Sequence, residues 1–369
     1  MSPPSTIQNQ LKSPLLKNNY YMPKKNLYGY TLKALEEEML ARGEKKYRAT
    51  QLYQWIYIKK VTNFDEMTDV SKSFREVLKE EYTLELPTIF TKQVATDGTI
   101  KLLLEMSDGA KVECVLMRYD YGNAICVSSQ VGCNMGCAFC ASGLLKRDRN
   151  LSAAEMVGQV IVMNQILFEE GDNVSHVVVM GTGEPFDNYD NVSSFIHVMN
   201  EAKGLAIGAR HITVSTCGLV PGIKRYGEEG IQVNLAISLH APNDQIRNQL
   251  MPVSRAYPMN ELLDAVREYV DKSGRRVTFE YILIKGLNDS LENAKELANL
   301  LKGIFCYVNL IPLNPVKEKP FERSLDKDTK AFSLYLNNHG VNCTIRKEWG
   351  TGIDAACGQL RAKYERGMK

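Results

Sequence analysis

Three closely spaced cysteines are the strongest chemical signal in this sequence of 369 residues. Cys133, Cys137 and Cys140 are separated by three and then by two residues. They follow an apolar, β-prone run from Ala124 to Ser128. Three thiolates this close together can converge on one small inorganic centre. A structural zinc ion would need a fourth ligand, usually from a second, separate pair. The spacing therefore favours an iron–sulfur cluster, and zinc with a distant fourth ligand is the alternative.

A four-iron cluster held by only three cysteines leaves one iron open to a ligand. Such an iron can chelate the amino and carboxylate groups of S-adenosylmethionine, and an electron passed to the sulfonium then yields a 5′-deoxyadenosyl radical. Phe139, directly before the last cysteine, also suits a cluster loop. We therefore predict one [4Fe-4S] cluster with S-adenosylmethionine as its ligand.

Alternating strand and helix patterns surround the cysteine motif and must position it. Six such units in series predict an α/β fold with a parallel sheet that curls into a partial (β/α)6 barrel. A barrel of this kind collects its active groups at the carboxyl ends of the strands. The predicted strands begin near Ala124, His176, His211, Gln232, Arg276 and Tyr307. One more strand is predicted from Val341 to Arg346.

Two different patterns precede the barrel. A helical region contains Thr31 and Ser71 as helix N-caps. A two-residue alternation then runs to the turn at residues 107–109 and predicts a β-hairpin. The predicted organisation is a flexible tail (1–27), a helical domain (28–86), a hairpin segment (87–122), the barrel (123–340) and a C-terminal strand and loop (341–369).

Composition excludes several classes of protein. The chain has 45 Lys and Arg against 43 Asp and Glu, so nucleic-acid binding has to rest on local clusters of charge. With 44% hydrophobic and 24% charged residues, most of the chain is expected to fold as an ordinary globular protein. No apolar run approaches the roughly 20 residues of a membrane span, and the start is not a secretory signal. We expect a cytoplasmic protein whose nine cysteines are not a disulfide framework.

Several motifs together resemble the radical S-adenosylmethionine superfamily and, within it, the RlmN family. The motifs are Cys126 to Cys140, Gly181 to Pro185, Ile353 to Leu360, Gly43 to Arg48 and Phe64 to Met67. The resemblance extends from about residue 28 to residue 360. Members methylate carbon 2 of an adenine in 23S rRNA at the peptidyl transferase centre, and some also methylate the adenine 3′ of certain tRNA anticodons. The resemblance implies that 23S rRNA, and also tRNA, are substrates of this chain.

The resemblance also implies which residues contact S-adenosylmethionine. A glycine at a strand end lets the backbone approach the ligand, and the Glu184 carboxylate can accept from the methionine ammonium. Taken singly, each of these polar residues would more often be an ordinary loop or cap residue, and it is their joint order that supports the assignment. The implied contacts are Gly183, Glu184, Ser215, Ser238, Leu239, His240 and Asn314.

A two-cysteine mechanism is the further implication, because carbon 2 of adenine is too electron-poor to attack a methyl sulfonium. One S-adenosylmethionine methylates Cys357, and a second yields the radical that activates this S-methyl group for addition to RNA. Glu113 then removes the carbon-2 proton, and Cys126 attacks the Cys357 sulfur to release the RNA. The product enzyme carries a transient Cys126–Cys357 disulfide. Judged alone, Glu113 has the pattern of a solvent-facing strand residue, and Cys126 that of a buried hydrophobe.

Local clusters of positive charge offer surfaces for RNA. The segment from Lys45 to Lys60 combines cations with Tyr47, Tyr53, Trp55 and Tyr57, which suits phosphates and unstacked bases. It makes the helical domain the predicted RNA-binding domain. Further basic residues, some of them directly after the cluster loop, have two interpretations. They extend the predicted RNA-binding surface, or they are ordinary solvated charges. They are Lys146, Arg147, Arg149, Lys224, Arg225, Arg275, Arg276, Arg346 and Lys347.

Two departures from the family pattern and two alternatives remain. Thr182 stands where the family usually has methionine, and residues 348–352 replace a more charged run. The related Cfr enzymes methylate carbon 8 by the same two-cysteine logic, but Pro185 and the helical domain look more like RlmN. A non-catalytic, zinc-containing RNA-binding protein is the alternative from another class. We also expect a monomer that receives electrons from a donor such as flavodoxin or ferredoxin.

Overall fold

The computed structural model describes residues 24–316 and 318–350, together with Ile353, Leu360, Arg361 and Tyr364. Cys357 and most of the predicted N-terminal tail lie outside the described residues. The helices are α1 (Leu32–Ala41), α2 (Tyr47–Tyr53), α3 (Lys72–Glu81), α4 (Ala153–Phe168), α5 (Tyr189–Asn200), α6 (Val220–Glu229), α7 (Asp244–Leu250), α8 (Met259–Ser273), α9 (Leu291–Leu300) and α10 (Asp326–Asn338). The strands are β1 (Lys25–Asn26), β2 (Tyr82–Thr83), β3 (Thr88–Val94), β4 (Ile100–Glu105), β5 (Lys111–Tyr119), β6 (Gly122–Cys126), β7 (Gln130–Val131), β8 (Arg149–Asn150), β9 (Val174–Val179), β10 (Ile212–Thr216), β11 (Asn234–Ser238), β12 (Val277–Leu283), β13 (Cys306–Pro312) and β14 (Cys343–Ile345).

One ten-stranded sheet forms the centre of the molecule, in the order β14-β13-β12-β11-β10-β9-β6-β5-β4-β3. The strands from β14 to β6 in this order are parallel to their neighbours, and helices connect the consecutive members β6, β9, β10, β11, β12 and β13. This is the predicted series of six strand–helix units, followed by the predicted C-terminal strand. The partial barrel and β14 are therefore confirmed.

The antiparallel strands β3, β4 and β5 extend the same sheet. The predicted hairpin is present as β4 and β5, and β5 continues the sheet by pairing with β6. The edge strand β3 was not predicted. Tyr364 packs on β3, since its hydroxyl accepts a hydrogen bond from Thr91 and its ring lies 5.2 Å from that of Phe90.

The N-terminal unit is built from α1, α2 and α3, with β1 and β2 paired parallel beside them. The predicted caps are confirmed: the Thr31 hydroxyl accepts from the Ala34 N–H at 3.1 Å, and the Ser71 hydroxyl from the Phe74 N–H at 3.4 Å. No helix in the described part of the chain is both long and apolar enough to cross a membrane.

Three aromatic residues of this unit are core residues and are not available to stack on bases. Tyr53, Trp55 and Tyr57 are all less than 10% exposed. The hydroxyls of Tyr53 and Tyr57 donate to the backbone carbonyls of residues 30 and 28. These hydrogen bonds hold the end of α2 and the turn after it against the start of the unit. The expectation that these three rings read unstacked bases is therefore wrong, whereas Tyr47 is 54% exposed.

Candidate active site

A short two-stranded ribbon closes the loop that carries the three cysteines. Strands β7 and β8 pair antiparallel at its base. Gly132 follows β7 with φ +81°, and a Cβ there would lie 2.1 Å from the Lys146 carbonyl oxygen, so only glycine fits. In the middle of the loop the Ala138 N–H donates to the Leu250 carbonyl at 2.8 Å. The loop is thus held at its base and at its centre.

The three cysteines line one cavity of about 220 Å³ at the carboxyl ends of the parallel strands. Most of the predicted cofactor contacts line the same cavity, as the resemblance implied. They are Gly183, Glu184, Ser215, Ser238 and His240. A larger cavity of about 580 Å³ adjoins it and shares Phe139, Cys140, Ile282, Ile311 and Arg346.

Two predicted cofactor contacts are placed differently. Asn314 lines the larger cavity, beside Leu313 and Ile353. The Leu239 side chain packs in the main hydrophobic core, and its backbone N–H donates to the Glu280 carbonyl at 3.0 Å. The structure therefore brings five of the seven predicted contacts to the cavity wall of the cysteines.

The surroundings of the three cysteines disfavour free thiolates and are better suited to thiolates bound to a metal centre. Burial raises the pKa of Cys133 to about 11. Burial also raises the pKa of Cys137, and the neighbouring thiols Cys140 and Cys133 raise it further. No three His, Cys, Asp or Glu side chains within the described ranges are already gathered closely enough to hold a metal ion. Soft thiolate donors on one wall nevertheless suit an iron–sulfur cluster, whose irons compensate the anionic sulfurs.

Glu184 is a buried carboxylate in the same cavity. Its oxygens accept from the backbone N–H groups of Phe186, at 3.0 Å, and Cys217, at 2.7 Å. Burial raises the pKa of the Glu184 carboxyl. A cationic ligand group in the cavity would offset this burial cost. Glu184 is thus suited to an ammonium group, as the resemblance implied.

Gly183 is required for a reason that the sequence did not indicate. Its φ is +113°, and a Cβ there would lie 2.7 Å from both Gln130 Cβ and Ser129 Oγ. The absence of a side chain therefore lets the loop after β9 pack against the start of the cysteine loop. Close approach of the backbone to a ligand was the expected reason.

His240 is a buried neutral imidazole in the cavity wall. Its Nδ1 accepts from the Ile282 N–H at 3.0 Å, so the ring proton is on Nε2. Burial lowers the pKa of His240 to about 3. Phe139 contacts the ring edge-on at 4.8 Å between centroids. The geometry fixes both the tautomer and the plane of this ring.

The depressed pKa of His240 predicts acid sensitivity of the cofactor-free protein. The unfolded chain takes up a proton below about pH 6.5, whereas folded His240 does so near pH 3. Stability is therefore present above pH 6.5 and is lost as the pH falls towards 3, by at most ~1.4 kcal/mol per pH unit from this group. Urea unfolding between pH 7 and 4 measures the slope. His240→Gln should flatten it, and His197→Gln, at an exposed position, is the control; an unchanged slope in His240→Gln would contradict the assignment.

Glu113 lies on the face of β5 that looks into the barrel, and it is buried. Its Oε2 lies 2.9 Å from Nζ of Lys101 on β4, and the two side chains are 3% and 0% exposed. The reading of Glu113 as a solvent-facing residue is therefore wrong. Cys126 on β6 is directly opposite Val115, two residues from Glu113, so Cys126 shares this face. The structure places the predicted base and the predicted resolving thiol on one side of the sheet.

The described residues on either side of Cys357 reach the same region. Ile353 lines the larger cavity, together with Trp349 and Gly350. The backbone N–H of Arg361 donates to Glu113 Oε1, and Leu360 is buried. Cys357 itself lies outside the described residues, so its role stays a prediction.

Two site residues were missed by the sequence reasoning. Glu280 is buried in the cavity wall and accepts from the Asn309 amide at 2.8 Å. A carboxylate inside the apolar run of β12 was the signal available for it. Cys217 belongs to none of the sequence motifs, but it lines the cavity and its backbone N–H donates to Glu184.

The basic residues after the cluster loop are less available to RNA than predicted. Arg147 pairs with Asp187, and Arg149 pairs with Asp108 at 2.6 Å and with Glu155 at 2.7 Å. Lys146 is the exposed member of the three. Arg147 and Arg149 therefore brace the loop.

Both departures from the family pattern are accommodated by polar contacts. The Thr182 hydroxyl lies 3.3 Å from that of Ser142, in the turn directly after the cysteines. Glu348 pairs with Arg323, and the Gly350 N–H donates to Asp97 at 2.8 Å.

Comparison with known proteins identifies the class and then the family. The family model described as ribosomal RNA large subunit methyltransferase N-terminal domain matches residues 25–84, and that of the radical SAM superfamily matches residues 127–299. A crystal structure of a radical SAM methyltransferase from Sphaerobacter thermophilus superposes with a TM-score of 0.86 at 47% identity, covering 92% of this chain and all of that one. The fold and site are thus those of a radical SAM methyltransferase.

Similar curated proteins carry a more specific name. A probable dual-specificity RNA methyltransferase RlmN from Spiroplasma citri is 55% identical over 92% of this chain and 98% of its own length. One from Geobacillus thermodenitrificans is 52% identical over 93% of this chain and 94% of its own length. The chain belongs to the RlmN family of radical SAM RNA methyltransferases. This membership agrees with the resemblance and not with a non-catalytic zinc protein.

Proposed function

We propose that this enzyme methylates carbon 2 of adenine in 23S rRNA at the peptidyl transferase centre and in tRNA at the adenine 3′ of the anticodon. The observation that carries the proposal is that the cavity of the three cysteines adjoins a larger cavity lined by Val115 and Met117, which lie on the face of β5 that carries Glu113 and is paired with Cys126. Membership of the RlmN family supplies the substrate class. The proposal extends to a monomeric enzyme in the cytoplasm that draws electrons from flavodoxin or ferredoxin.

The cavity residues fit the two cofactors of this chemistry. Cys133, Cys137 and Cys140 would hold one [4Fe-4S] cluster, and Glu184 would bind the ammonium of S-adenosylmethionine. When bound, this pair supplies a carbon radical that removes a hydrogen atom from an unactivated methyl group. Two molecules of S-adenosylmethionine are used per turnover, one as methyl donor and one as radical source.

The protein's own groups complete the reaction. Cys357 carries the methyl group and then the RNA, bonded through its sulfur. Glu113 takes the proton from carbon 2 of the adduct, and the unpaired electron left by radical addition passes to the electron-transfer partner, so that the adenine ring becomes aromatic again. The Cys126 thiolate then attacks the Cys357 sulfur: the S–S bond forms, the S–C bond breaks, and the carbon keeps the electron pair and takes up a proton to become the methyl group. The Cys126–Cys357 disulfide must be reduced before the next cycle.

The position of the methyl group is the direct test. Nucleosides from 23S rRNA and tRNA of a deletion strain, with and without the gene restored, are compared by mass spectrometry against 2-methyl- and 8-methyladenosine standards. We expect 2-methyladenosine in both RNAs with the active gene and none with a Cys357→Ala allele. A main product of 8-methyladenosine would contradict the proposal and assign the chain a Cfr-like activity.

A further inference from the structure

Lys101 and Glu113 form the most deeply buried ion pair of the described residues. Nζ of Lys101 lies 2.9 Å from Oε2 of Glu113, and the side chains are 0% and 3% exposed. The other ion pairs between described residues have side chains at least 19% exposed. Lys101 is opposite Val115 in the β4–β5 register, and Glu113 is opposite Leu103, so the two charges meet on the diagonal of one face.

Stability alone does not account for such a pair. Removing two charges from water costs several kcal/mol per ion, and apolar replacements of a buried pair are often neutral or stabilising. Removing one partner, by contrast, leaves an uncompensated charge in the interior. A buried pair that includes a reacting group is therefore better explained by what the lysine does for the carboxylate.

Lys101 fixes how the carboxylate is presented. It holds Oε2, while Oε1 accepts from the backbone N–H of Arg361. Arg361 follows Cys357 by four residues in the sequence. One oxygen is thus anchored inside the sheet, and the other faces the segment that carries the methyl group under the proposed function.

We propose that Lys101 is the positioning residue of the base: its ammonium anchors Oε2 of Glu113 so that Oε1 receives the proton from carbon 2 of the RNA adduct. This inference rests on the proposed function of Glu113. In the step, the C–H bond at carbon 2 breaks and the proton bonds to Oε1. The electron pair of that bond restores the aromatic ring as the unpaired electron of the adduct leaves to the flavin or iron–sulfur electron carrier. Lys101 keeps its proton and its contact with Oε2.

Lys101→Met should slow the release of RNA without slowing the methylation of Cys357. Methionine has a similar length but no charge, so Oε2 of Glu113 loses the ammonium that anchors it. Single-turnover assays with labelled S-adenosylmethionine measure methyl transfer to protein, and denaturing gels follow decay of the RNA–protein adduct. We expect adduct decay to slow at least about tenfold, a fraction of the usual contribution of a general base, while methyl transfer to Cys357 keeps its rate.

Lys111→Met is the matched control. Lys111 is on the same strand pair and lies 2.8 Å from Glu105, but these side chains are 23% and 36% exposed. This variant should release RNA at the rate of the wild-type enzyme. Lys101→Arg keeps a cation at the position and should restore part of the rate that Lys101→Met loses.

A second variant separates positioning from folding. Lys101→Met with Glu113→Gln removes both charges and should recover the thermal stability that the single substitution loses, yet still accumulate adduct. The inference is overturned if folded Lys101→Met releases RNA at the normal rate. If Glu113→Gln alone also turns over normally, Glu113 is not the base and the proposed function fails with it. If Lys101→Met releases RNA normally but Glu113→Gln does not, only the role of Lys101 is rejected.

Discussion

A Cys126→Ala variant purified from cells should carry RNA that stays attached to the protein under denaturing conditions. Cys357 would still accept its methyl group, and the RNA would still become bonded to it. Without the Cys126 thiolate, no protein group attacks the Cys357 sulfur. Catalysis should therefore stop after about one RNA per chain, and ribonuclease should shrink the adduct on a gel.

The strand register provides a matched control for this experiment. Cys114 is adjacent in sequence to Val115, which is paired with Cys126. Cys126 faces an apolar cluster with Val115, on the side of Glu113, whereas Cys114 on β5 packs in the main core on the other face. Cys114→Ala should release RNA normally and lose about 1 kcal/mol of stability by truncation of a buried side chain. Cys126→Ala combined with Cys357→Ala should show no adduct.

Repeated turnover by Cys126→Ala under reducing conditions would defeat the assignment of the resolving thiol. Cys126 would then be only a buried strand residue, and an external thiol or another cysteine would resolve the adduct. Quantifying product per chain over time distinguishes the two outcomes, because a trapped enzyme stops near one equivalent and a resolved enzyme continues.

The sequence predicts regular elements well where one periodicity is uninterrupted. The apolar pattern from Ala153 to Phe168 predicts a helix, and α4 has these bounds because the Ser152 hydroxyl caps it and the pattern continues to the end. In α6, Pro221 and Gly222 are residues that commonly break a helix, yet both lie in its first turn. Proline is tolerated in a first helical turn, and Gly222 is needed there, since a Cβ would lie 2.7 Å from Phe186.

Strand β3 was missed for a different physical reason. A bulge between Ile89 and Thr91 interrupts the two-residue alternation that identifies a strand. As an edge strand, β3 exposes Ile89 and Phe90, each 44% accessible, so its apolar side chains do not mark one buried face. Such a strand is defined by its partner β4 and not by its own sequence.

The alternation in β4 and β5 gave the wrong exposure for Glu113, which is buried. A polar residue at every second position indicates a face in water, provided that nothing covers that face. Here the C-terminal segment covers it: Arg361 binds Glu113 across 248 residues of sequence. The resemblance implied the role of Glu113, and the motif from Ile353 to Leu360 ends one residue before Arg361, but only the three-dimensional structure pairs the base with a buried lysine.

Loss of one cluster ligand should have an effect as large as loss of the resolving thiol. Protein prepared without oxygen should be brown and contain about four irons per chain. Cys137→Ala leaves two of the three thiolates that line the cavity, so iron should fall to near zero and RNA methylation to background. Iron analysis, visible absorption and electron paramagnetic resonance of the reduced protein measure the cluster independently of activity.

Cys306→Ala is the control for this substitution, since Cys306 is a half-buried cysteine on β13 that does not line either of the two site cavities. It should retain iron and activity. Cys137→Ala in the Cys126→Ala background should abolish the trapped RNA, because the adduct forms only after the radical step. Stoichiometric zinc without iron in the anaerobically reconstituted protein, or trapped RNA in that double variant, would show that the three cysteines do not hold the catalytic cluster.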